Sequence, residues 1–155
     1  MSNAPQPPHN HFEERLRGKF SGILRWADLD TLWERILAEP EGWYLYETRE
    51  DPPEHIVDSA GLRDIIHSID RVLREKHKHD YCGIVYADDP AEPGMVKIYD
   101  PENLGVVCGP GGERILPRWI LSRERPERLR SGHATQNTGN SVLWGNNTWW
   151  RRIFS

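Results

Sequence analysis

The sequence predicts an α+β fold: an antiparallel sheet of about five strands, a helix at 59–79 packed on one face, and a second helix at 28–39. Three observations carry the prediction. Leu62, Ile65, Ile66, Ile69, Val72 and Leu73 recur at helical spacing. Beyond residue 80 the period changes to short runs rich in β-branched and aromatic residues. The links between those runs, DDPAEPG, PEN and PGGE, are short and built from turn formers, so consecutive strands become antiparallel neighbours.

Taken in order, residues 1–25 open with a Pro/Asn/His-rich stretch of no periodicity and read as a largely disordered segment. Phe12, Leu16 and Phe20 share a spacing of four, which allows a short helix there, weakened by Gly18 and Gly22. A single domain is expected over 26–130. Leu29, Leu32, Trp33, Ile36 and Leu37 form one helical face, with Asp28 as N-cap and Pro40 as the stop. GWYLYET reads as a strand, and REDPPEH after it as an acidic, proline-bound loop. The 59–79 helix has Asp58 or Ser59 as cap, and Lys76, His77, Lys78 and His79 near its C-terminal carbonyls. YCGIVYA, MVKIYD, LGVVCG and RILPRWILS are the later strands. Pro117 has no N–H for a ladder, so it is expected at an edge or a bulge. Residues 131–141, SGHATQNTGNS, have the composition of a flexible linker, and 142–155 form an aromatic and basic tail.

Composition bounds the function. A chain of 155 residues buries enough surface to fold without a metal or disulfide. No apolar run approaches a membrane span. The stretch MSNAPQPPHNHFEE has neither the basic start nor the apolar centre of a secretory signal, so a cytoplasmic protein is expected. Charge is divided unevenly. From residue 113 onward eight arginines face three glutamates, a net +5, so with −4 for the whole chain residues 1–112 carry −9. Such a division suits an acidic partner, or a basic end lying across an acidic body.

The strongest candidate site is the tail. Trp144, Trp149, Trp150, Arg151, Arg152, Ile153 and Phe154 combine the residue types that dominate binding hot spots. Burying the rings removes apolar area worth on the order of 5 kcal/mol before ordering costs. They therefore call for an acceptor surface, either a partner protein or a sheet face that the helices leave open. Membrane-surface or nucleic-acid contact is the remaining alternative.

Three other constellations are weaker. In RILPRWILSRERPERLR the arginines can grip phosphate or carboxylate, and Trp119 can stack a base, but Glu113, Glu124 and Glu127 allow intrachain ion pairs instead. HKHDYC brings His77, His79 and Cys82 close, with Asp80 or His67 as further ligands, yet lacks the paired spacing of a zinc site. Cys108 precedes Gly-Pro-Gly-Gly with no base nearby to activate it; it shares a strand side with Leu104 and Val106, and both it and Cys82 read as free, buried cysteines.

The reading that follows is a non-catalytic accessory or adaptor protein with no cofactor and no metal. It binds a partner protein through the tail and the sheet surface. Two alternatives stand beside it. One is a small metal-independent RNase-like phosphodiesterase, using Glu113, His133 and Arg118 with Lys97 or Tyr99 assisting. The other is a thiol- or metal-binding accessory protein.

Overall fold

The structure, a computed structural model, describes residues 11–102 and 116–129. Helix α1 spans His11–Leu16, strand β1 Ser21–Ile23, helix α2 Trp26–Ala38 and strand β2 Tyr44–Glu47. Helix α3 spans Ser59–Lys76, followed by strands β3 Val85–Ala87, β4 Met95–Ile98 and β5 Trp119–Ser122. The five strands form one sheet in the order β1-β3-β4-β5-β2, antiparallel at every junction. The fold is therefore α+β. β3, β4 and β5 are antiparallel neighbours, but β4 pairs directly with β5, where the expected meander placed LGVVCG between them. The strand expected over 104–109 lies outside the described residues.

Alternation along the strands separates two apolar layers. Leu45, Leu121, Val96 and Ala87 lie side by side across the sheet. With Ile98, Trp119, Val85 and Ile23 they meet α2 and α3 through Leu29, Leu32, Ile36, Leu62, Ile66, Ile69 and Leu73. Polar bonds on the rim join the two helices. Trp33 Nε1 donates to Asp70 at 3.0 Å, and Arg74 reaches both Asp70 at 3.0 Å and Asp30 at 2.6 Å. The opposite row runs Tyr46, Ile120, Lys97, Tyr86, Gly22. There Tyr46, Ile120 and Met95 pack with Phe12 and Leu16 of α1 and with Leu129.

This second layer differs from expectation. The segment 1–25 was expected to be largely disordered, with a short helix allowed at Phe12, Leu16 and Phe20; its described part, 11–25, supplies α1 and the edge strand β1, and Phe12 is fully buried. A six-residue helix is marginal alone; α1 forms because its two apolar side chains close the sheet's second face. Lys97 fixes its C-terminal end, donating Nζ to the Leu16 carbonyl at 2.9 Å while lying 4.0 Å over the Phe20 ring.

Several boundaries also shift. Asp58 caps α3 as expected, accepting from the Gly61 N–H at 2.6 Å. Asp28 does not cap α2. The helix starts earlier, with Arg25 at the cap position and no side-chain bond there, and Asp28 falls in the first turn. The cause is Trp26, whose Nε1 donates to the His79 carbonyl at 2.9 Å and whose ring lies under Arg74. Helix α3 ends at Lys76 rather than at residue 79. The chain turns out at His77, and Cys82 N–H then bonds the Leu24 carbonyl at 2.7 Å. Gly83, at φ +66°, delays β3 until Val85. Pro117 sits outside β5 rather than at an edge or bulge. β5 is a central strand that begins at Trp119, and the Pro117 carbonyl accepts from Thr48 Oγ1 at 2.6 Å.

The β3–β4 turn is organised by Asp88. Its Oδ1 accepts from the N–H groups of Asp89 at 2.8 Å, Gly94 at 2.9 Å and Met95 at 3.1 Å, and Arg15 reaches Oδ2 at 3.0 Å. Burial pushes the carboxyl up, but these donors outweigh it and hold it below the ordinary carboxylate range. A depressed carboxylate contributes stability that is present above its unfolded value and lost as pH falls through the folded one. Asp88→Asn should therefore lose about 1 kcal/mol at neutral pH. In urea unfolding, its deficit against the parent should shrink as pH falls below about 4.

Candidate functional site

All seven residues of the expected partner site, Trp144, Trp149, Trp150, Arg151, Arg152, Ile153 and Phe154, lie outside the described residues. The basic stretch that precedes them is described in part. Arg118, Arg123 and Arg128 each bind the acidic body.

Arg118 has the most enclosed environment. Its side chain is 10% exposed, with Nη1 2.8 Å from Asp100 and Nε 3.3 Å from Glu47. Arg49 approaches the same Asp100 oxygen at 3.4 Å. The guanidinium also lies 4.7 Å from the centre of the Trp119 ring. Antiparallel pairing builds this cluster. Glu47 ends β2 opposite Trp119 of β5, and Arg118 N–H bonds the Ile98 carbonyl of β4, just before Asp100. Asp100 also acts as a turn residue, its Oδ1 accepting from Glu102 N–H at 2.9 Å. Burial pushes the Glu47 carboxyl up, and Arg118 and Arg49 only partly oppose it.

Arg123 performs a second structural task. It donates to the carbonyls of Glu41 and Glu39, each at 2.8 Å, and covers the Trp43 ring at 4.5 Å. These contacts satisfy backbone acceptors just beyond the end of α2. Arg128 pairs with Asp51 in the 48–58 segment between β2 and α3. Leu129 is buried against Tyr46. The described part of the basic stretch thus lies across the acidic body, one of the two readings the charge division allows.

The histidine candidate resolves into an aromatic corner. His77 and His79 pack with ring centres 4.5 Å apart, their planes tilted by 57°, and His77 meets Trp26 edge-on at 6.1 Å. Cys82 is buried, and that burial pushes its thiol up, so it behaves as a packed hydrophobe. Among the described residues, no three His, Cys, Asp or Glu side chains gather to hold a metal ion.

Of the residues considered for phosphodiester chemistry, Glu113 and His133 lie outside the described residues. Arg118 has its guanidinium on two carboxylates. Lys97 is bonded to Leu16, and Tyr99 meets Tyr86 edge-to-face at 5.8 Å, its hydroxyl pushed up by burial. Cys108 is also outside. Among the described residues, no helix is long and apolar enough to cross a membrane.

The sequence did not disclose the Glu47–Arg118–Asp100 cluster, because its members lie 71 and 18 residues apart. RILPRWILS was legible as a strand, but not which carboxylates its Arg118 would meet. No protein-family model matches the chain, and no curated protein or solved structure shows significant similarity to it.

Proposed function

We propose that the protein is a non-catalytic accessory protein. It recognises an acidic partner protein through Trp144, Trp149, Trp150, Arg151, Arg152, Ile153 and Phe154. The sheet surface is its second contact, where the half-buried Tyr86–Tyr99 pair offers aromatic area. One observation supports this reading above the others. On the second sheet face, the end formed by Tyr46, Ile120 and Met95 is already packed by Phe12, Leu16 and Leu129. That packing takes the most apolar part of the face away as an acceptor for the tail's rings and favours a surface elsewhere. Trp and Arg side chains suit such docking because they bring apolar area and directed hydrogen bonds together.

The test is capture by crosslinking in an extract of the native source, comparing the full chain with a variant carrying Trp149→Ala, Trp150→Ala, Arg151→Ala and Arg152→Ala. The expected result is an acidic protein captured by the parent and lost, about tenfold or more, with the variant. Equal capture by both chains would remove the proposal.

A further inference from the structure

We propose that the acidic strap at 50–58, between β2 and α3, is an intramolecular docking site for residues 149–154 of the same chain. The inference rests on the proposed function only in taking that segment as the recognition element. It adds the surface on which the segment rests until a partner displaces it.

The first support is where the strap lies. β2 is an edge strand, and the strap returns beside it, with Val57 N–H bonding the Trp43 carbonyl at 2.8 Å. Ile56 is 52% exposed, while Pro52, Pro53 and Val57 are half-buried around it. An apolar side chain thus stands at the rim of the sheet, next to rigid prolines that offer flat faces to aromatic rings.

Charge is the second support. Glu50, Asp51, Glu54 and Asp58 make four acids in nine residues, with no Lys or Arg among them. Residues 149–154, Trp-Trp-Arg-Arg-Ile-Phe, carry two arginines and no acid. Each side offers what the other lacks: carboxylates beside an exposed isoleucine, and guanidiniums beside rings. Asp58 is occupied as the α3 cap, but Glu54 makes no ion pair among the described residues.

The third support is where the described chain leaves the body. Arg128 already pairs with Asp51, and Leu129 is buried at Tyr46, in the strand that leads into the strap. The chain therefore departs beside the proposed site. Twenty further residues reach Trp149, and an extended chain of that length spans up to about 65 Å. A flexible link of this length would give roughly millimolar effective concentration, at which a weak contact is enough to populate the docked form. A partner must then compete with the strap, which favours partners that present both acid and apolar surface.

The test uses the full chain, uniformly 15N-labelled, with the Trp149 and Trp150 indole N–H signals assigned by single Trp→Phe replacements. Amide signals of Val96 and Leu121 report whether the sheet is intact. The parent is expected to show both indoles displaced from the position of free tryptophan and slowed in hydrogen exchange. Glu54→Lys with Ile56→Ser, two exposed changes, should return both signals to the free position and leave Val96 and Leu121 unmoved. Arg151→Glu with Arg152→Glu should release them likewise, and adding Glu54→Lys to that pair should restore part of the displacement.

Indole signals that are the same in the parent and in the Glu54→Lys/Ile56→Ser variant would overturn the inference. If both show hydrated indoles, the strap does not hold the segment and the partner-binding proposal stands without it. If both show protected indoles, the segment docks elsewhere on its own body and the strap is not its site; the partner-binding proposal is then decided by the crosslinking test.

Discussion

Replacing Arg118 by Met is expected to cost about 3–5 kcal/mol of folding stability at neutral pH. The methionine fills much of the same volume, so the loss comes from charge rather than from a cavity. Glu47 and Asp100 are both nearly enclosed, at 12% and 7% side-chain exposure, and Arg118 is the cation shared between them. Arg49 remains near Asp100 at 3.4 Å, but it does not replace the Arg118 contact with Glu47. Both nearly enclosed carboxylates would lose their shared cation, which is the costly arrangement of a half-dismantled buried pair.

The pH dependence gives this prediction a distinctive signature. Burial already pushes the Glu47 carboxyl above its ordinary range while Arg118 opposes the shift. Without Arg118 the shift grows. A carboxyl whose folded value is raised favours the folded state when protonated, and that benefit is lost as pH rises through the folded value. The Arg118→Met deficit should therefore be large near pH 7 and shrink on acidification toward about pH 4. Adding Glu47→Gln should recover part of it. Urea unfolding at several pH values reads both effects. A deficit independent of pH would mean that Arg118 acts through packing on Trp119 instead.

Phe12→Ala should be comparably severe, costing about 3–5 kcal/mol. Phe12 is fully buried, and its ring lies 6.1 Å from that of Tyr46. Truncation empties the centre of the second apolar layer and removes the main reason for α1 to be helical. Leu16, Met95, Ile120 and Leu129 line the same space and cannot all close in on it. Denaturant unfolding would show the loss. If Phe12→Ala left stability unchanged, residues 11–16 would be a loosely attached appendage.

What the sequence revealed follows from how far each signal reaches along the chain. The stripe of α3 repeats within one segment, so its helix, its cap at Asp58 and its buried face were all readable. The short β3, β4 and β5 runs and the turn residues between β3 and β4 were equally local. β1 was not readable, because Ser21, Gly22 and Ile23 have no strand pattern of their own. They are extended because Tyr86 and its neighbours offer a free edge. α1 was half readable. Phe12 and Leu16 had the spacing, but only the sheet face waiting for them decides that they order. The α2 start was misread because a capping residue, Asp28, is a local cue, whereas the bond from Trp26 to the His79 carbonyl joins residues 53 apart.

The candidate sites divide in the same way. Composition showed that the basic end and the acidic body are opposite in charge. It did not show which arginine meets which carboxylate, because strand register sets Arg118 against Glu47 and Asp100, and the α2 terminus sets Arg123 against Glu39 and Glu41. The acidic strap was visible as a run of residues. Its position beside an edge strand, and beside the point where Arg128 pairs with Asp51, belongs to the fold.

The central claim is that the Trp/Arg segment serves recognition and is not part of the core. Urea unfolding of the full chain, beside the same chain carrying Trp149→Ala, Trp150→Ala, Ile153→Ala and Phe154→Ala, tests it most directly. A segment resting on a surface strap contributes little, and the expected loss is under about 2 kcal/mol. A loss of about 5 kcal/mol or more, the scale of several large side chains removed from a packed interior, would contradict the claim.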